Sequence, residues 1–208
     1  MTLQIVLIAI MAVAVAVLLG SEQRGRRDLV LVAKPLASVC FVLLAAMRLQ
    51  GTGAYGLLVV LALALCLVGD VCLIFPQAFL AGLAVFLLGH VAYAVAFASV
   101  APPRGWSVPF ALAVAAAGVA AVRWLWPYLG DMRVPVLAYV VVISVMVWGA
   151  LSAARAGAVP VRVAVGAGLF YLSDLTVARD RFVKLGFVNR AWGLPAYYGA
   201  QVLLALSV

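Results

Sequence analysis

The sequence predicts an all-α, polytopic membrane protein with eight transmembrane helices. Three observations predict it. Apolar residues make up 69% of the 208, and charged residues only 10%. Mean hydropathy is +1.27. Long apolar runs, such as 57–68 and 112–122, show no alternation with polar residues. A soluble domain carries about 25% charged residues and could not hide this much apolar surface. Barrel strands alternate apolar and polar positions, whereas helices satisfy their own backbone hydrogen bonds in lipid. The composition therefore excludes a soluble globular domain, a disordered chain and a secreted disulfide scaffold.

Each span needs about 20 apolar residues. Eight fit, at 2–20, 29–47, 54–74, 78–100, 106–125, 134–153, 159–178 and 193–208. The whole chain, 1–208, reads as one transmembrane helical domain. No basic residue precedes the first apolar run, and the run is long, so it reads as a span and not a cleavable signal. The second span carries Lys34, and the third ends on Gly69-Asp70. The fourth carries His90 and Tyr93, three apart and so on one helix face. The fifth and sixth are almost uniformly apolar. The seventh carries Ser173-Asp174, and the eighth carries Tyr197 and Gln201, four apart. Cys40, Cys66 and Cys72 lie inside apolar runs and read as small buried hydrophobes, without disulfide or zinc spacing.

The net charge of +8 would suggest nucleic acid in a soluble protein. Here most cations flank spans, where they set orientation. The loops after spans 1, 3, 5 and 7 hold nine cations, among them Arg24, Arg27, Arg181 and Lys184, against four on the other side. That bias places these loops in the cytoplasm and both termini outside. A four-plus-four repeat is suggested by two matched positions. Phe79 follows Asp70 by nine residues, and Phe182 follows Asp174 by eight. Four spans per repeat would make the halves parallel.

Ionisable groups inside spans are costly, so they face the bundle interior or a watery cavity. They are Lys34, Asp70, His90 and Asp174. At ~1.5 Å per residue, Lys34 lies roughly 7 Å below the cytoplasmic end of its span. Asp70 and Asp174 lie roughly 6 Å below theirs, and His90 about 18 Å. One Lys and two carboxylates then converge at one level with an anion in excess, where a structural ion pair would need only one carboxylate. Tyr197 enters at the depth of the two Asp residues. The run Arg179-Asp180-Arg181-Phe182-Val183-Lys184 reads as a positive anchor or, more sharply, as a phosphate clamp.

These motifs together resemble the YhhN family. They are Lys34-Pro35-Leu36, Gly69-Asp70, Phe86-Leu87-Leu88-Gly89-His90-Val91-Ala92-Tyr93 and Phe170-Tyr171-Leu172-Ser173-Asp174. The likeness runs from about residue 30 to 201, and spans 5 and 6 carry little of it. That family includes the mammalian lysoplasmalogenases. The resemblance implies an integral membrane hydrolase, in a bacterial-type inner membrane, that cleaves the vinyl ether bond of a lysophospholipid. The products are a fatty aldehyde and a glycerophospho-base. The residues themselves point to Asp70 and Asp174 as catalytic, with Lys34, His90, Tyr93, Arg181, Tyr197 and Gln201 around the substrate, and neither metal nor other cofactor is expected.

The residues suit that chemistry. Protonation of the enol-ether carbon gives an oxocarbenium ion, water adds, and the hemiacetal collapses. One carboxylic acid and one carboxylate facing the cation are needed, as in glycosidases. Which Asp is the acid stays open. Two other readings use the same residues. Asp70, Asp174 and His90 could ligate a catalytic zinc, although the chain has a single His. They could also relay protons in a transporter, although no span has a Gly/Pro-broken middle.

Overall fold

A computed structural model describes residues 2–208. Eight helices follow one another: α1 Thr2–Arg24, α2 Arg27–Ala46, α3 Gly53–Cys72, α4 Phe79–Val100, α5 Val108–Leu125, α6 Arg133–Arg155, α7 Val161–Ala178 and α8 Phe187–Ala205. No strand occurs among the described residues. All but α8 are long and apolar enough to cross a membrane. Asn189, Arg190, Pro195 and Gln201 dilute the apolar content of α8. The expected all-helical, polytopic membrane fold is what the chain forms.

The polarity is that of a protein in lipid. Val13, Leu57, Leu112, Val134 and Val161 stand on the outer surface, while Ser38, Asp70, His90 and Gln201 are buried. In lipid, helices associate through close packing of small residues and polar contacts, not by hiding apolar surface from water. Accordingly α3 packs on α4 through Ala62, Cys66, Gly69, Gly82 and Gly89. Helix α7 packs on α8, α1 on α2, and α4 on α6. Helix α8 also touches α1, α2 and α3, which closes the bundle. Helix α5 is the outlier and packs chiefly on α6.

Successive helices reverse direction, so the loops after α1, α3, α5 and α7 share one end, called here the odd-loop end. The other end gathers both termini. There Tyr55 and Ser207 hydroxyls meet at 2.7 Å, and Arg162 donates to the Leu206 carbonyl at 3.0 Å.

Two helix ends differ from the sequence expectation, and both bear on the site. Helix α8 begins at Phe187, six residues before the expected 193. Hydropathy alone stops at Arg190, but the first turn is held by polar contacts. Asp180 accepts from the Gly186 amide and from Asn189 Nδ2, each at 2.9 Å. Asn189 Nδ2 also donates to the Lys184 carbonyl at 2.7 Å. Helix α7 does not stop at its last α-helical residue. It continues as a π-helical turn, Arg179–Val183, which carries the span to Val183. Asp174 therefore lies roughly 13 Å inside its span at ~1.5 Å per residue, not 6 Å.

Candidate active site

A cavity of about 620 Å³ opens at the odd-loop end. That size is ordinary for a small-molecule site. Lys34, Asp70, Asp174, Tyr197 and Arg181 line it, among mostly apolar neighbours such as Phe79, Leu83, Phe86, Val140 and Ile143.

Asp70 sits at the last turn of α3 and is only 2% exposed. Its Oδ1 lies 3.4 Å from Lys34 Nζ on α2. Its Oδ2 accepts from Ser38 Oγ and from Tyr197 OH, each at 2.7 Å. Tyr198 OH donates to the Lys34 carbonyl at 3.3 Å and supports the same corner. Gly69 is required beside it. A Cβ there would stand 2.6 Å from Phe86 Cδ2, so the Phe86 ring closes over α3 only because this residue lacks one.

Asp174 on α7 has different company. Its Oδ2 accepts from Tyr139 OH on α6 at 2.7 Å and lies 3.2 Å from His90 Nε2 on α4. His90 Nε2 is also 2.9 Å from Tyr139 OH. The imidazole is fully buried, and its Nδ1 has no hydrogen-bond partner. The Asp174 side chain is 19% exposed and faces the cavity.

Aromatic rings join the two carboxyl groups. Phe86 packs edge-on against Tyr197 and Phe170, at 6.0 and 6.4 Å between centroids. Phe170 in turn lies 4.6 Å from the His90 ring. Such rings exclude water behind the carboxyl groups and fix their directions.

The mouth is charged. Arg27, Arg181 and Arg190 line it with Glu22 and Asp180. Arg190 pairs with Glu22 and, at 3.4 Å, with Asp180. Arg181 has no carboxylate partner, and its guanidinium lies over the Phe79 ring at 4.5 Å. Arg179 is taken up by Asn189, which leaves Arg181 as the free cation of this turn. Gly193 lets α8 close on α7 here. A Cβ at that position would overlap the Thr176 hydroxyl at 2.0 Å.

The structure thus gathers Lys34, Asp70, Asp174, Tyr197 and Arg181 around one cavity. His90 stands behind Asp174. The depth estimate that separated them is corrected by the π-helical extension of α7. Tyr93 and Gln201 do not line the cavity. Tyr93 OH donates to Gln201 Oε1 at 2.9 Å deeper in the bundle, while Gln201 Nε2 is buried without a partner. Ser38 and Tyr139 went unread in the sequence. Ser38 lies one turn after Lys34, a spacing that would have flagged it, whereas nothing local marks Tyr139 within its apolar helix. The three donors considered for zinc do not assemble. Among the described residues no three of His, Cys, Asp and Glu lie close enough to hold a metal ion.

Fold and site together define a polytopic integral membrane protein with an ionisable cavity inside the bundle. The YhhN family profile matches residues 29–208, from the start of α2 to the last residue. The chain belongs to the YhhN family. It is 35% identical over 156 residues to lysoplasmalogenase TMEM86B of Rattus norvegicus, covering 74% of this chain and 63% of that one. It is 36% identical over 141 residues to lysoplasmalogenase TMEM86B of Sus scrofa, covering 68% and 58%. A lysoplasmalogenase of Mycobacterium bovis is 35% identical over 198 residues, covering 89% and 72%. The chain therefore spans about three-fifths of the length of these mammalian relatives. No solved structure matches it.

Proposed function

We propose that this protein hydrolyses the vinyl ether bond of lysoplasmalogens, releasing a fatty aldehyde and a glycerophospho-base. One observation carries the reading. Two carboxyl groups with different partners open on a single, mostly apolar cavity in a YhhN chain.

The reaction needs a proton for the enol-ether carbon and a negative charge beside the oxocarbenium ion that follows. Asp174 takes the first role. It faces the cavity, where the attacking water returns the proton it gives up, while His90 and Tyr139 hold its Oδ2. Asp70 takes the second. The Lys34 ammonium and two hydroxyl donors hold its carboxyl group in place. Water adds to the cation and passes a proton to the site. The hemiacetal then breaks its bond to the glycerol oxygen, which leaves protonated. Arg181, with Arg27, meets the phosphate at the mouth. Tyr93, His90 and Gln201 support the site from behind the cavity wall.

The eight-span count and the four-plus-four relation belong to the same reading. Asp70 and Asp174 lie on the third helix of their respective halves, α3 and α7, and face one cavity, which supports parallel repeats. Cation counts place the odd-loop end, and with it the cavity mouth, in the cytoplasm of a bacterial-type inner membrane.

Purified protein given a lysoplasmalogen should release aldehyde, with or without a chelator. Release abolished by chelator would favour a metal-dependent hydrolase, and no release under any condition would overturn the proposal. Orientation has its own test, in a chain whose three native cysteines are replaced. In intact cells, Thr2→Cys and Ser207→Cys should react with an impermeant thiol reagent, and Gly186→Cys should not. The reverse pattern would place the mouth outside.

A further inference from the structure

A second cavity, of about 480 Å³, lies between α5 and α6. Small side chains create it. Ala111, Ala115 and Gly118 on α5 stand opposite Val141 and Val145 on α6. Arg123, toward the odd-loop end, is the sole charged residue on its wall.

This groove and the site cavity share a wall. Val140 lines both. Tyr171 lines the site cavity near Asp174 and reaches the back of the groove. A Cβ placed on Gly118 would stand 3.2 Å from Ser144 Oγ, 3.3 Å from Val140 Cγ1 and 3.9 Å from Tyr171 OH. The partition is therefore one side chain thick. The Ser144 and Tyr171 hydroxyls face each other within it. Helix α5 leans chiefly on α6, with buried residues Val114, Gly118, Ala121 and Leu125 along its length.

The geometry points to the α5–α6 groove as the binding site for the single hydrocarbon chain of the substrate, which leaves the site cavity across Val140. This inference rests on the substrate class proposed above. The cavity mouth is charged and its wall near Asp174 apolar, so an amphiphile enters with its headgroup at Arg181. Its ether then lies between the carboxyl groups and its chain must leave past Asp174. Val140, with Tyr171, is the wall that faces this direction and opens on apolar space.

The test is photolabelling in nanodiscs. The probe is an alkyl-ether lysophospholipid, which the hydrolase cannot cleave, with a diazirine at the chain end. Label is expected on α5 and α6 at Ala115, Val119 or Val145, and an excess of unlabelled alkyl-ether lysophospholipid should compete it away. Label on α1 or α2, or equal uncompeted groove labelling by a diacyl phospholipid probe, would overturn the site and mark the groove as ordinary lipid contact. Ala115→Phe, at an exposed position, fills the groove without touching the core. It should lower competed labelling at least ~10-fold, the scale of a misfit in an apolar pocket. It should also slow a long-chain lysoplasmalogen more than a four-carbon analogue. Unchanged labelling in this variant would sink the inference. Gly118→Leu blocks the partition itself and should act in the same direction. The two proposals fail separately. Competed groove labelling in a protein that releases no aldehyde keeps the chain site and removes the hydrolase.

Discussion

Asp70 and Asp174 look equivalent in the sequence, one acid near the same end of each half, but their surroundings differ. Asp70 is enclosed and meets one ammonium and two hydroxyls from α2 and α8. Asp174 is partly open and meets one phenol and one imidazole from α6 and α4. A carboxyl group with a fixed cation and several donors is held in one orientation. One that opens on the cavity beside a phenol and an imidazole is placed to meet a bound substrate. The difference teaches that charge placement in a bundle is set by the neighbouring helices and not by the acid's own helix.

The strongest way to break this comparison is to neutralise each acid in turn. Asp174→Asn and Asp70→Asn should each lower turnover about 10²- to 10⁴-fold, the range of general acid–base catalysis. On the proposed mechanism, solvent-isotope sensitivity of the residual rate should change for Asp174→Asn only. Near wild-type turnover in either variant would remove that residue from the site.

Lys34 comes next. Lys34→Met leaves a buried carboxylate without its cation, which costs roughly 3 kcal/mol. The thermal midpoint should fall, and Lys34→Met with Asp70→Asn should recover it without recovering turnover. A raised KM with an unchanged midpoint would instead make Lys34 a ligand for the phosphate or glycerol end.

Smaller changes sharpen the contrast. Tyr139→Phe removes one donor to Asp174 and should lower turnover about tenfold, with little loss of stability. Ser38→Ala removes one of three donors to Asp70 and should cost about 1 kcal/mol of stability with a few-fold effect on rate. If Ser38→Ala proved the more damaging to turnover, the two acids would exchange roles.

The sequence by itself determined the helical, membrane-spanning fold. Apolar content and run length are local quantities, and lipid allows few backbone solutions. It also determined which side chains face inward, because Lys34, Asp70, His90 and Asp174 are too costly to face lipid. Their company was decided only by the tertiary structure. Pairing of Lys34 with Asp70, and of Asp174 with His90 and Tyr139, depends on α2 meeting α3 and on α4 and α6 meeting α7. Those contacts join residues up to 84 positions apart, as His90 and Asp174 are, and no local pattern encodes them. The extension of α7 through Val183 and the early start of α8 are likewise tertiary. Asp180 and Asn189 hold those turns by hydrogen bonds between helices, where hydropathy alone predicts loop.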